Sequence, residues 1–155
     1  MSDLSDLISA DAIDAGLTVA NKKALFQQLA KEAARHLSIP AKRILAALNQ
    51  RERLGSTGFG GGVAIPHGKI DGLPAICGYF ARLNMPIDYQ AVDQQRVDLV
   101  FLLLSPPDAG ADHLKALARV SRTLRDGATT AKLRGARSKD AIFALLAGVE
   151  TLNAA

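Results

Sequence analysis

The chain of 155 residues has no Trp, and aromatic residues make up only 5% of it. That scarcity argues against a surface that stacks nucleic-acid bases, where rows of aromatic rings do the binding. A single cysteine, Cys77, excludes an internal disulfide framework and any multi-thiolate zinc site within one chain. Long apolar runs are missing too. The run Leu99 to Leu104, for example, falls far short of the ~20 residues of a membrane-spanning helix. The N-terminus, Met1-Ser2-Asp3-Leu4-Ser5-Asp6, is acidic and lacks the basic and apolar regions of a secretory signal. These absences lead to the expectation of a cytoplasmic protein with no membrane insertion.

What is present suits a globular domain. Hydrophobic residues make up 48% and charged residues 22%, which excludes disorder as the main state. No repeat or low-complexity linker divides the chain, so residues 1–155 read as one domain with a core over about 4–149. Thr18 to Leu37 carries Leu25, Leu29, Ala33 and Leu37 on one helical face. Ile39-Pro40 breaks that helix, and Pro40 opens a second that runs to about Glu52 and buries Ile44, Leu45 and Leu48. Val63 to Pro66, Ala75 to Leu83 and Val97 to Leu104 read as strands, the last apolar enough for a central position. A third helix is expected over Asp112–Arg125 through Leu114, Leu117, Ala118, Ser121 and Leu124. A last one is expected after the N-cap Ser138, burying Ile142, Leu145, Leu146 and Val149. Helices before, between and after strands predict an α/β domain, a mixed sheet flanked by helices.

Two stretches carry chemical information. From Gly55 to Gly62 the chain reads Gly-Ser-Thr-Gly-Phe-Gly-Gly-Gly, a loop whose backbone can approach a partner closely. It is not a nucleotide cradle. Gly61-Gly62 stand where a P-loop needs Lys-Ser/Thr, and Val63 stands where the dinucleotide motif needs Gly. His67 follows, between Pro66 and Gly68 on constrained backbone. An imidazole titrates near neutral pH and can serve as nucleophile, base or metal ligand, or simply as a hydrogen-bonded loop residue.

The string Arg51-Glu52-Arg53-Leu54-Gly55-Ser56-Thr57 through Val63-Ala64-Ile65-Pro66-His67-Gly68 resembles the phosphohistidine site of phosphotransferase-system enzyme IIA domains of the mannitol/fructose type. It looks closest to their nitrogen-related branch. Leu4-Ser5-Asp6-Leu7-Ile8, Pro86-Ile87-Asp88-Tyr89 to Phe101, and His113-Leu114-Lys115-Ala116-Leu117-Ala118 extend the resemblance over nearly the whole chain. It implies a phosphoryl carrier with a mixed sheet and flanking helices, formally a phosphotransferase component without small-molecule turnover of its own. His67 matches the acceptor of a phosphoryl group from an HPr-like (NPr) carrier. Arg51 matches the family's basic partner, and His113 its second active-site histidine at the start of a helix. Ser56 and Thr57 are expected either to donate hydroxyl hydrogen bonds to phosphoryl oxygens or to cap their own loop. Gly60, Gly61, Gly62 and Gly68 are expected to hold loop backbone close to the reacting centre.

The resemblance implies no cofactor and no metal. The acceptor downstream is a regulatory target protein or, if the protein serves sugar import, a IIB partner. A free-standing domain favours the regulatory branch. A plain protein-binding module with an inert His67 is the reading from another class.

Cys77 is expected to be a small buried residue. His36, at a helix end, needs no function beyond charge complementarity there. Between Asp112 and Asp140, eight Lys and Arg face three Asp, a local +5 that accounts for the net charge of +4. That stretch is either a solvated face or a surface for an acidic partner, and the lack of interleaved aromatics argues against nucleic acid.

Overall fold

The computed structural model describes residues 3–148. A six-stranded sheet is made of β1 (Ile13–Leu17), β2 (Gly58–Gly60), β3 (Val63–Ala64), β4 (His67–Lys69), β5 (Cys77–Ile87) and β6 (Val97–Ser105). Five helices flank it: α1 (Lys22–Leu37), α2 (Ala41–Glu52), α3 (Ala111–Arg125), α4 (Gly127–Gly135) and α5 (Lys139–Ala147). The strand order is β1-β5-β6-β3-β2, with β4 also paired to β6. β6 runs antiparallel to β5 and parallel to both β3 and β4, so the sheet is mixed, as expected. The apolar run of β6 is buried from Leu99 to Ser105, which is why it needs no polar alternation.

The helices begin where local chemistry lets them. Asn21 caps α1 through its side chain, so that helix starts later than Thr18. Asp126 caps α4 and Ser138 caps α5 in the same way. Sequence patterning missed α4, because its nine residues include four Gly or Thr and bury only Thr130 and Leu133. It also missed β1, which pairs parallel with β5 at one edge of the sheet.

Burial corrects several expected positions. Leu45 and Leu145 are only partly buried. Val149 lies outside the described residues. The correction with most consequence is in α3. The helix buries His113, Ala116, Val120, Thr123 and Leu124, while Leu114 is 66% exposed. The i, i+3, i+4 rule finds a stripe for more than one choice of face, and here the core takes the face that contains the histidine.

The fold sets the site through two contacts. His67 lies opposite Leu103 and Lys69 opposite Ser105, so β4 delivers His67 to the carboxyl end of the central strand. Above β4, Ala47 of α2 packs on Gly68: a Cβ added to Gly68 would come within 3.2 Å of the Ala47 Cβ. One helical turn on from Ala47, and therefore on the same face, stands Arg51. Close seating of α2 on a glycine thus brings Arg51 over His67.

Candidate functional site

His67 is half-buried and both of its ring nitrogens are engaged. Nδ1 lies 2.8 Å from the carbonyl oxygen of Ile65. A carbonyl only accepts, so Nδ1 carries the ring proton. Arg51 Nε donates to His67 Nε2 at 3.1 Å, which requires a bare lone pair on Nε2. The two contacts agree on one tautomer. Burial, with the Arg51 charge adding to it, pulls the His67 pKa below its ordinary value, against opposing effects from the Ile65 carbonyl and Glu52. His67 is therefore a neutral imidazole at pH 7, with its lone pair at Nε2.

Arg51 is held from the other side by donating through Nη1 to the Gly55 carbonyl at 2.9 Å. Its Nη2 has no acceptor among the described residues. Across the site, the His113 ring centre is 5.7 Å from that of His67. His113 sits in the first turn of α3, whose N-cap Gly110 contributes no side-chain cap. Its Nδ1 is 2.6 Å from the hydroxyl of Ser105. Burial lowers the His113 pKa, with smaller contributions from the neighbouring His67 and Lys69.

Beneath Arg51 lies a second polar cluster. Glu52 pairs with Lys22 Nζ at 2.6 Å and accepts from the Thr57 backbone N–H at 3.0 Å. The Thr57 hydroxyl donates to Glu52 Oε1 and meets the Tyr89 hydroxyl at 2.7 Å. Lys22 Nζ also stands 4.3 Å from the centre of the Tyr89 ring. Burial, reinforced by Glu52, pushes the Tyr89 pKa up, so its phenol stays protonated.

Among the residues singled out from the sequence, His67, Arg51 and His113 come together. Of the two roles open to Thr57, its contacts show the capping one: its one hydroxyl proton goes to Glu52, which leaves none for a phosphoryl oxygen. It ties the loop to the end of α2 instead. Ser56 Oγ accepts from the Gly58 N–H at 3.1 Å and keeps its own proton uncommitted among the described residues.

Gly60, Gly61 and Gly62 do not approach His67. They reverse the chain between β2 and β3 with φ of 116°, 67° and 80°. This turn is anchored at the opposite end of the sheet, where Gly61 N–H donates to Asp93 and Arg134 donates to the Gly61 carbonyl. A Cβ on Gly62 would lie 2.5 Å from Arg134 Nη2. The glycines answer to chain reversal and crowding, not to phosphate. Gly68 gives its smallness to helix packing.

Sequence reasoning missed Ser105 and the cluster of Glu52, Lys22 and Tyr89. No spacing signals them, because the contacts join residues 8, 30 and 32 positions apart. Among the described residues no three His, Cys, Asp or Glu side chains group so as to hold a metal ion. Burial pushes the Cys77 thiol up to about 11, so it is not a thiolate nucleophile at neutral pH.

The fold and site define a class by their geometry: a mixed sheet that presents two facing histidines and an arginine at one strand end. The chain belongs to the family described as phosphoenolpyruvate-dependent sugar phosphotransferase system, EIIA 2, whose profile matches residues 6–149. It is 51% identical over 144 residues to a nitrogen regulatory protein of Bradyrhizobium diazoefficiens, covering 93% of this chain and 94% of that one. The crystal structure of the nitrogen regulatory protein IIA-Ntr from Neisseria meningitidis superposes with a TM-score of 0.87 at 32% identity, over 91% of this chain and 97% of that one. The IIA mannitol structure from Escherichia coli shares the fold with a TM-score of 0.76 at 19% identity, over 89% of this chain and 97% of that one. Among the described residues no helix is long and apolar enough to cross a membrane.

Proposed function

We propose that this protein is a regulatory phosphoryl carrier that takes its phosphoryl group from a phosphohistidine of an HPr-like (NPr) carrier protein. The observation that carries the reading is the bare Nε2 of a neutral His67, with Arg51 beside it and His113 opposite. Nε2 supplies the electron pair for the new N–P bond. The donor's P–N bond breaks and its electron pair returns to the donor imidazole. The Nδ1 proton stays on His67, held by the Ile65 carbonyl.

The transferring group spreads negative charge over its oxygens, so catalysis is positioning and charge stabilisation. Arg51 swings from the lone pair to the phosphoryl oxygens, where its fork of donors matches their geometry. His113 and Ser56 supply further donors. The nitrogen regulatory proteins among the relatives support a regulatory outcome. A phosphoryl group adds roughly two negative charges at the docking face, enough to change which target protein is bound.

The test is incubation with a phosphorylated HPr-like donor. Acid-labile label is expected on the wild type and lost in His67→Ala. A wild type that takes up no label would leave a binding module. Pull-downs with the phosphorylated and unmodified forms are expected to recover different partners. Identical partners, with label passed on to a sugar-specific IIB protein, would make the protein a sugar-pathway component instead.

A further inference from the structure

We propose that Ser105 is a positioning residue that locks His113 in the tautomer opposite to that of His67, so that one histidine presents a lone pair and the other an N–H to the same gap. Ser105 is fully buried, with 0% exposure. Its hydroxyl has one hydrogen-bond partner among the described residues, His113 Nδ1 at 2.6 Å. A buried hydroxyl proton must find an acceptor, because leaving it unpaired costs its full desolvation. If Nδ1 carried a proton and donated to Ser105, the serine's own proton would have nowhere to go. The serine therefore donates, Nδ1 is bare, and the ring proton of the neutral His113 is on Nε2.

His67 is the mirror case. The Ile65 carbonyl can only accept, which puts the proton on Nδ1 and bares Nε2. A carbonyl behind one ring and a hydroxyl behind the other thus decide opposite tautomers for two rings 5.7 Å apart. A nucleophile and a donor for the incoming oxygens are prepared before anything binds. Ser105 has this position because the β4–β6 register sets it opposite Lys69, two pairs beyond His67 and Leu103. A short connection then brings α3 back over it.

The effect on transfer rests on the phosphocarrier reading; the tautomer assignment does not. The experiment therefore has two readouts. The first is the 15N shifts of histidine-labelled protein at pH 8. They are expected to show His113 with an unprotonated Nδ1 and a protonated Nε2, and His67 the reverse. In Ser105→Ala the His113 signals are expected to move to a tautomeric mixture, and Ser105→Thr is expected to restore them.

The second readout is the rate of His67 phosphorylation by phosphoramidate, a small donor that needs no docking. Its P–N bond breaks as the His67 N–P bond forms, and the bonding pair leaves with ammonia. Ser105→Ala is expected to slow this step roughly tenfold, the scale of one lost oriented hydrogen bond. A protonated His113 Nδ1 in the wild type would overturn the proposal, as would a Ser105→Ala variant with unchanged shifts and rate. If that variant does not fold, the wild-type spectrum still decides. A wild type with the stated tautomers that takes up no phosphate would overturn the carrier function and leave the tautomer assignment standing.

Discussion

His67 and His113 have pKa values drawn below the ordinary value near 6.5, mainly by burial. The charged and titratable groups around them are Arg51, Glu52 and Lys69, together with each other. A group whose folded pKa is depressed binds fewer protons folded than unfolded across the interval between the two values. Stability is therefore expected to fall as pH drops from about 6.5 through the folded pKa values. Urea midpoints measured from pH 8 to pH 5 should decline for the wild type and decline less steeply for His113→Gln. Equal slopes would mean that His113 titrates alike in both states. The same lowered pKa values keep both rings neutral at pH 7, so one residue-scale cause serves stability and chemistry.

Between elements, the decisive contact is α2 on β4. Ala47 lies so close on Gly68 that an added Cβ would come within 3.2 Å of its own, and Arg51 extends from the same helical face. Gly68→Leu is expected to lift α2, cost ~1–3 kcal/mol of stability from overpacking, and separate Arg51 from His67. Ala47→Gly in that background is expected to recover part of both losses. Denaturant unfolding and phosphoryl uptake, measured on the two single variants and the double, test the coupling. Strictly additive effects would show that the two residues do not act through one contact. The cluster of Lys22, Glu52, Thr57 and Tyr89 braces the same helix end from below, tying α1, α2 and the loop before β2 together. Removing one member leaves buried polar groups without partners, which is why Thr57 matters to the site without facing it.

Across the molecule, two of the four large exposed apolar side chains among the described residues lie within three positions of the site's own residues. Leu54 is 83% exposed in the turn after Arg51, and Leu114, beside His113, is 66% exposed. Neither helps the core, so both are suited to docking a partner protein. The double variant Leu54→Ser/Leu114→Ser is expected to retain stability within ~0.5 kcal/mol. Phosphorylation by the carrier protein should fall at least about tenfold, as when an apolar anchor is lost, while phosphorylation by phosphoramidate is retained. Equal loss with both donors would place these leucines in the chemistry rather than in docking.

The basic stretch after His113 reads differently in three dimensions. Arg119 is held by Asp6 and by the Asp3 carbonyl, Arg134 by Asp98, and Arg125 lies 4.9 Å from the centre of the Phe59 ring. These three of the stretch's eight basic side chains hold elements of the chain together.

The sequence by itself determined the mixed-sheet class, the helix around His113 and the Arg-to-His string. Periodicity, caps and Pro or Gly breaks are local, and the string is contiguous. It misplaced what depends on where strands end in space. Gly60, Gly61 and Gly62 were expected beside the reacting centre, yet β3 and β4 extend along β6 and carry them and His67 apart. Only the tertiary structure decided which face of α3 is buried, that the Thr57 proton is spent on Glu52, and that Ser105 stands behind His113. Each of these depends on the satisfaction of buried hydrogen bonds across the sheet and its helices, and a hydrogen bond between residues distant in the chain leaves no mark on local spacing.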